Sequence, residues 1–277
     1  MINAQFITPF VQRWLQSSRV PQVLHIFERV VNLCNEREEI ISLVMPEVGR
    51  GPFSVGVAGA RPFPDFIQPH LPVHISPRTI QIGSFVVDVR PATVWQPRVN
   101  WEDVRVKSAV WQPYLPAMQT ILERHRQTLG AENMTVRQRQ EVGLAELING
   151  IAQQNVEQVR VGTLKLAGLG RGLTPAGDDV LVGVMYGLWS SQLKEQVRPL
   201  VRVIVETAVP CTTTLSAAWL WVASRGEAVE AWHEFSLELA AGSGQWVEPM
   251  ARILAVGHSS GVDALWGFTA VMVQNGL

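Results

Sequence analysis

The sequence predicts an α+β protein, with a β-rich domain over residues 1–114 followed by a mostly α-helical domain over 115–277. Three observations carry this expectation. Between residues 40 and 113 the chain is rich in Pro, Val, Ile and Gly, and its short apolar runs are bounded by turn residues, as strands are. From Pro116 onward, apolar residues recur with a helical period. The 277 residues, 47% of them hydrophobic, suffice for one large or two modest domains with packed cores.

In chain order, an N-terminal helix is expected over 21–33, with Val23, Ile26, Phe27 and Val30 on one face. Strands are expected at 40–45, 53–57, 79–82 and 85–89, and proline-rich connections at 61–64 and 69–77 argue against helix there. Helices are expected at 116–129, 136–154 (with Thr135 as N-cap), 156–167, 175–191, 195–209, 213–224, 227–240, 247–256 and 261–273. Small residues and tryptophans alternate along them, which suits close helix packing. Trp219 and Trp221 are two apart on one helix, so one of them is a candidate to face a ligand or partner.

Composition narrows the function. The formal net charge is −1, and the longest basic run, 124–126, reads as the solvated face of a helix. Nucleic-acid binders cluster Lys and Arg against phosphates, so no nucleic-acid partner is expected. Cys34 and Cys211 form neither a CxxC motif nor a disulfide framework, and the histidines lack metal-like spacing. Apolar runs such as 180–189 are shorter than the ~20 residues that a membrane span needs. The N-terminus lacks the basic and apolar regions of a signal peptide. These features predict a soluble, cytoplasmic protein with no membrane partner.

Three segments stand out chemically. The first is Gly168-Leu-Gly-Arg-Gly-Leu-Thr-Pro-Ala-Gly-Asp-Asp179. Its glycines, Gly170, Gly172 and Gly177 among them, permit positive φ and close approach to a ligand. Thr174 is placed to cap a helix with Pro175 at the first helical position. The free amides of that first turn would then bind an anion, with Arg171 as an added bidentate donor. No Gly-Lys-Ser/Thr follows, so this is not a nucleotide P-loop. Leu173 stands where a dinucleotide fingerprint needs its third glycine. Asp178 and Asp179 are candidate acceptors for a substrate NH₂ group or candidate Mg²⁺ ligands; the plainer alternative is that they complement the helix dipole.

The second segment, 211–216, opens an apolar helix with four hydroxyls in five residues; Thr213, Thr214 and Ser216 are candidate oxyanion donors, with capping as the alternative. The third runs from Gly257 to Asp263. Ser260 and Asp263 resemble a capping box, which leaves His258 and Ser259 unexplained. His258 is a candidate to polarise a carbonyl or move a proton. Ser259, Ser260, Gly261 and Asp263 complete the candidate ligand-binding set. Three polar helix starts would together build an electropositive pocket for a small anion.

These segments resemble the AllH-type family, which is associated with oxamate carbamoyltransferase of allantoin degradation. The family pattern Gly-x-Gly-x-Gly-Leu-Thr-Pro-Ser/Ala-Gly-Asp-Asp, then a Thr-Thr segment ending in Ser, then His-Ser-Ser-Gly-x-Asp, is met here in the same order at 168–179, 213–216 and 258–263. The N-terminal half matches through Leu24-His-Ile-Phe27 and Gly51-Pro-Phe-Ser54. The resemblance implies conversion of oxalurate and phosphate to oxamate and carbamoyl phosphate, within an assembly containing other subunits. Its ligands would be small carboxylate, carbamoyl or phosphate groups, bound by the loop amides, Arg171, Thr213, Thr214 and Ser259. Asp178, Asp179 and His258 would be the catalytic set. Homo-oligomer formation is compatible with this. Two rival readings are a non-catalytic subunit that binds ligand or partner, and a Mg²⁺-dependent phosphoryl-transfer enzyme built on the Asp pair.

Overall fold

A computed structural model describes residues 1–59, 61–128 and 134–274. The chain forms two compact units, one of residues 1–98 with 228–230 and one of 99–227 with 231–277. The first is built on a sheet and the second on helices, so the α+β class holds. Residues 99–114, ahead of the expected change at 114, lie in the second unit, and helices begin at Trp101.

The first unit is a nine-stranded mixed sheet in the order β2-β3-β4-β5-β1-β8-β7-β6, with β9 also on β1. The strands are β1 (Ile2–Ile7), β2 (Gln22–Ile26), β3 (Val30–Cys34), β4 (Ile40–Val44), β5 (Ser54–Val57), β6 (Val73–Ile75), β7 (Thr79–Ile82), β8 (Phe85–Asp88) and β9 (Thr93–Val94). The strands expected at 40–45, 53–57, 79–82 and 85–89 are therefore present. Helix α1 (Pro9–Ser17) starts where the Thr8 hydroxyl accepts from Val11 N at 3.3 Å and Pro9 takes the first helical position. Its Val11, Trp14 and Leu15 join Val31, Leu33, Ile41, Leu43, Val55 and Ile80 in the core.

The helix expected over 21–33 is instead the β2–β3 hairpin, closed by Phe27 N donating to Val30 O at 2.8 Å. A β-bulge between Val23 and His25 interrupts the alternation. Core-facing residues then fall at Val23 and Ile26, a spacing that imitates a helix face. The β-branched side chains favour the strand.

The opposite face of this sheet carries a polar row set by strand register. His25 pairs with Asn32, Asn32 with Ser42, and Ser42 with Ser54. Ser42 donates to Asn32 Oδ1 at 2.7 Å, and the Asn32 amide lies 3.4 Å from His25 Nδ1. Asn32, Ser42 and Ser54 are buried. The two N-terminal segments that carried the resemblance, 24–27 and 51–54, thus meet in one row.

The second unit contains α2 (Trp101–Val106), α3 (Ser108–Trp111), α4 (Leu115–Thr128), α5 (Met134–Ala152), α6 (Val156–Leu166), α7 (Ala176–Ser191), α8 (Lys194–Ala208), α9 (Thr214–Ser224), α10 (Glu230–Ala241), α11 (Val247–Leu254) and α12 (Ser260–Gln274). Leu129, the expected end of the first long helix, lies outside the described residues. Thr135 is inside α5 rather than capping it.

At the centre, α7 and α12 run parallel and almost in backbone contact. A Cβ at Gly183 would lie 1.8 Å from Ala264 O, one at Gly267 2.2 Å from Val180 O, and one at Gly187 2.7 Å from Val271 Cβ. Glycine alone permits that approach. Parallel packing sets the two N-termini side by side. Farther along the pair, Trp101 stacks on Tyr186 at 5.3 Å, with Trp232 and Phe268 around them.

Candidate functional site

The N-termini of α7, α9 and α12 meet at the three polar segments. Thr213 Oγ1 donates to Leu173 O at 2.5 Å, and Thr174 Oγ1 lies 3.1 Å from Ser260 Oγ. Asp178 joins α7 to α9. The loop backbone that makes this possible uses positive φ at Gly168 (67°), Gly170 (123°) and Gly172 (101°). Space is short at two of them: a Cβ at Gly168 would meet Cys211 O at 2.3 Å, and one at Gly170 would meet Ala176 N at 2.8 Å. At Gly172 the surroundings are open.

The expected anion cradle is largely filled from within. Gly177 N donates to Leu169 O at 2.8 Å, and Asp178 N and Asp179 N both donate to Pro175 O, at 2.9 and 3.2 Å. Pro175, not Thr174, is the N-cap of α7 and supplies no side-chain bond. With φ −54° and ψ 138°, Pro175 is extended at ψ and cannot be the first helical residue. Thr174 is freed to face Ser260.

The anion that the motif does hold is the protein's own Asp178. This side chain is fully buried. It accepts from Gly168 N at 2.9 Å, from Ser216 Oγ at 2.8 Å and from Thr212 Oγ1. Burial raises its pKa, and these three donors act in the opposite direction. Ser216, one of the hydroxyls expected to bind an external oxyanion, thus donates to this carboxylate. Thr213 caps α9 by accepting from Ser216 N at 3.1 Å, and Thr214 is half-buried in its first turn. Thr212 lay in the hydroxyl-rich segment but outside the candidate set; one cap needs one hydroxyl, and that surplus was its signal.

Asp179 and Asp263 are different. Each is 8% exposed, and in each the buried Oδ2 makes no hydrogen bond. The Ser260 and Thr174 hydroxyls favour ionised Asp179, but burial and the Asp263 and Asp178 carboxylates push its pKa well above the ordinary range. Asp263 rises to about 6, chiefly through burial; the hydroxyl of Ser259, the amide of Gln140 and the charges of Arg126 and Arg137 limit the rise. Gln140, on α5, donates to Asp263 Oδ1 at 3.3 Å.

The pairing expected between Ser260 and Asp263 is replaced by contacts to Ser259, four residues before Asp263 and outside capping-box spacing. Asp263 N donates to Ser259 O at 2.9 Å, and the Ser259 hydroxyl serves the Asp263 carboxyl. Gly261 and Gly177 are packing positions: a Cβ would lie 1.8 Å from Ile253 O in the first case and 2.0 Å from Leu166 O in the second. His258 and Arg171 are exposed at the rim.

The site's interior is thus carboxyl-rich rather than electropositive. No group of three or more His, Cys, Asp or Glu among the described residues is placed to hold a metal ion. Asp178 accepts three hydrogen bonds while Asp179 Oδ2 accepts none, so the two adjacent carboxyls are held in different ways.

Away from this junction, cavities of about 330 and 460 Å³ flank Trp266 between α12 and helices α4 and α5, and none of the three segments lines them. Arg126 lies 3.9 Å above the Trp266 ring, so the end of the basic run 124–126 is packed on an aromatic face rather than solvated. Trp221 is 48% exposed. Among the described residues no helix is long and apolar enough to cross a membrane.

Comparison with protein families gives two matches. A model described as "Oxamate carbamoyltransferase subunit AllH" matches residues 166–272, and one described as "AllH family N-terminal domain" matches residues 2–94. No match was found among curated proteins or solved structures.

Proposed function

Because the chain belongs to the AllH family of oxamate carbamoyltransferase subunits, we propose that it binds the carbamoyl-bearing substrate of that enzyme at the junction of α7, α9 and α12. The observation that carries this is the pair of buried carboxyl oxygens, Asp179 Oδ2 and Asp263 Oδ2, without protein partners. Unpaired buried polar atoms cost about 1–3 kcal/mol each, so a fold retains them where a ligand supplies the missing partner. A carbamoyl group carries an NH₂ with two donors and a carbonyl acceptor.

The reaction passes a carbamoyl group between oxamate nitrogen and phosphate oxygen. In the direction of phosphorolysis, a phosphate oxygen attacks the ureido carbonyl of oxalurate and the C–N bond breaks. Oxamate leaves with its nitrogen taking the proton that phosphate loses. Catalysis requires the carbamoyl plane to be held, the carbonyl oxygen to meet donors, and the two reactants to be aligned. Asp179 and Asp263 orient the NH₂. The hydroxyls of Thr174, Ser259 and Ser260 line the same junction. His258 and Arg171 sit at the rim, where they meet the carboxylate or phosphate. Asp178 is a positioning residue: it binds the loop to α9 and does not touch substrate.

The helix-start amides in which phosphate would ordinarily rest are engaged internally, which favours a division of labour. This chain holds the carbamoyl group, and other subunits contribute to the phosphate side. The test is phosphorolysis of oxalurate by the purified chain, alone and with its partner subunits. Full activity is expected only in the assembly, with a large loss in Asp179→Ala and His258→Ala. Unchanged turnover by both variants would sink the assignment.

A further inference from the structure

Three carboxyl groups crowd the junction, and their partners are unequal. Asp178 accepts hydrogen bonds from Gly168 N, Thr212 and Ser216. Asp263 accepts from Gln140 and feels two arginines, Arg126 of α4 and Arg137 of α5. Asp179, buried and with its Oδ2 unpartnered, meets only the neutral hydroxyls of Ser260 and Thr174, which lie 3.1 Å apart, and the charged groups acting on it are the other two carboxylates: Asp178 on its own helix and Asp263 on α12. Three buried carboxylates cannot all ionise side by side, and the one without cation or amide donor takes the proton.

We propose that Asp179 recognises the carbamoyl group as a neutral carboxylic acid, its hydroxyl donating to the carbamoyl oxygen while its carbonyl oxygen accepts a carbamoyl N–H. The ligand's identity rests on the carbamoyltransferase reading above; the protonation state rests on the arrangement of the three acids. A carboxylic acid presents one donor and one acceptor on a single edge, and the H–N–C=O edge of a carbamoyl group presents their complement. An ionised carboxylate could accept from the NH₂ but would oppose the carbamoyl oxygen. It would also repel the charged end of oxalurate or carbamoyl phosphate inside a poorly hydrated site. Neutrality therefore allows an acid-rich pocket to admit an anionic substrate. It also selects: a carboxylate in place of the carbamoyl group offers two acceptors and leaves Asp179 with no N–H.

The experiment is calorimetric titration of oxalurate into the full chain between pH 5.5 and 8.5, with Asp179→Asn and Asp179→Ala. Asparagine keeps one donor and one acceptor on the same edge. It should bind within a few fold of wild type, while alanine weakens binding about tenfold or more. Wild-type affinity should weaken as pH is raised through the titration of Asp179, and the asparagine variant should show less weakening. Binding that tightens with pH, or an asparagine variant as weak as alanine, overturns the inference. Difference infrared spectroscopy at pH 7 reads the acid without ligand. A protonated carboxyl stretch present in wild type and lost in Asp179→Asn supports the neutral state; its absence overturns it even where oxalurate binds. If the stretch is present and oxalurate fails to bind at every pH, the carbamoyl reading fails while the neutral acid stands.

Discussion

Both units bury polar side chains, and they treat them in opposite ways. In the sheet, strand register places Asn32 between His25 and Ser42, and the amide bonds to its neighbours on either side. In the helical unit, Asp178 is equally well served, yet Asp179 in the next position keeps a buried oxygen without a partner, as does Asp263. The satisfied groups are part of the scaffold. The unsatisfied oxygens of Asp179 and Asp263 are where we propose that a ligand completes the structure, and leaving them unpaired costs the folded state stability.

The comparison can be broken most severely at the α7–α12 contact. Gly183→Val sets a branched side chain against Ala264 O, where even a Cβ would stand 1.8 Å away. Loss of cooperative folding, or destabilisation beyond about 4 kcal/mol, is expected on thermal denaturation. A variant with wild-type stability would show that the two helix starts do not depend on this approach.

Asp178→Ala comes next. It leaves Gly168 N, Thr212 and Ser216 without their acceptor and should cost about 3 kcal/mol in chemical denaturation. A cost below about 1 kcal/mol would place Asp178 with its neighbours as a ligand group instead of a scaffold group.

Asp263 sharpens the contrast through pH. Its folded pKa, about 6, is above the ordinary carboxyl value, so the folded state binds the extra proton. Stability from this group is present at low pH and falls as pH rises from about 4 to about 6, by on the order of 2–3 kcal/mol. Asp263→Asn should remove that slope: the stability difference between variant and wild type should grow over this window and then level off. A constant difference would show that Asp263 titrates normally.

The smallest effect is expected in the sheet. Asn32→Ala removes one neutral hydrogen-bonded side chain and should cost about 1–2 kcal/mol, with oxalurate binding unchanged. Weaker binding of oxalurate would mean that the polar row is more than scaffold and that the contrast between the units is wrong.

Much of this was legible in the sequence. Among the helices from 156 onward, α8 and α11 have strong apolar periodicity, while α7, α9 and α12 are long apolar runs bounded by turn and capping residues, and their positions follow from these patterns. The strand pair 79–82 and 85–88 follows from turn residues on either side. The hairpin at 22–34 did not, because one bulged residue converts a period of two into an apparent helical period. In the site, residue types and order identified the three segments and most of the polar members. They did not separate Asp178 from Asp179, which are identical in chemistry and adjacent in the chain.

The sequence by itself determined the α+β class, the glycine-rich loop ahead of α7 and the hydroxyl-rich start of α9, since each rests on local periodicity, turn chemistry or capping. Only the tertiary structure decided that the loop's anion is an internal carboxylate, that Gly177 and Gly261 serve packing, and that Asp179 and Asp263 each carry an unpartnered oxygen. Successive residues on a helix point about 100° apart. Asp178 therefore turns toward α9 and its three donors, while Asp179 turns toward α12 and another acid. That choice is set by which helix lies on which side.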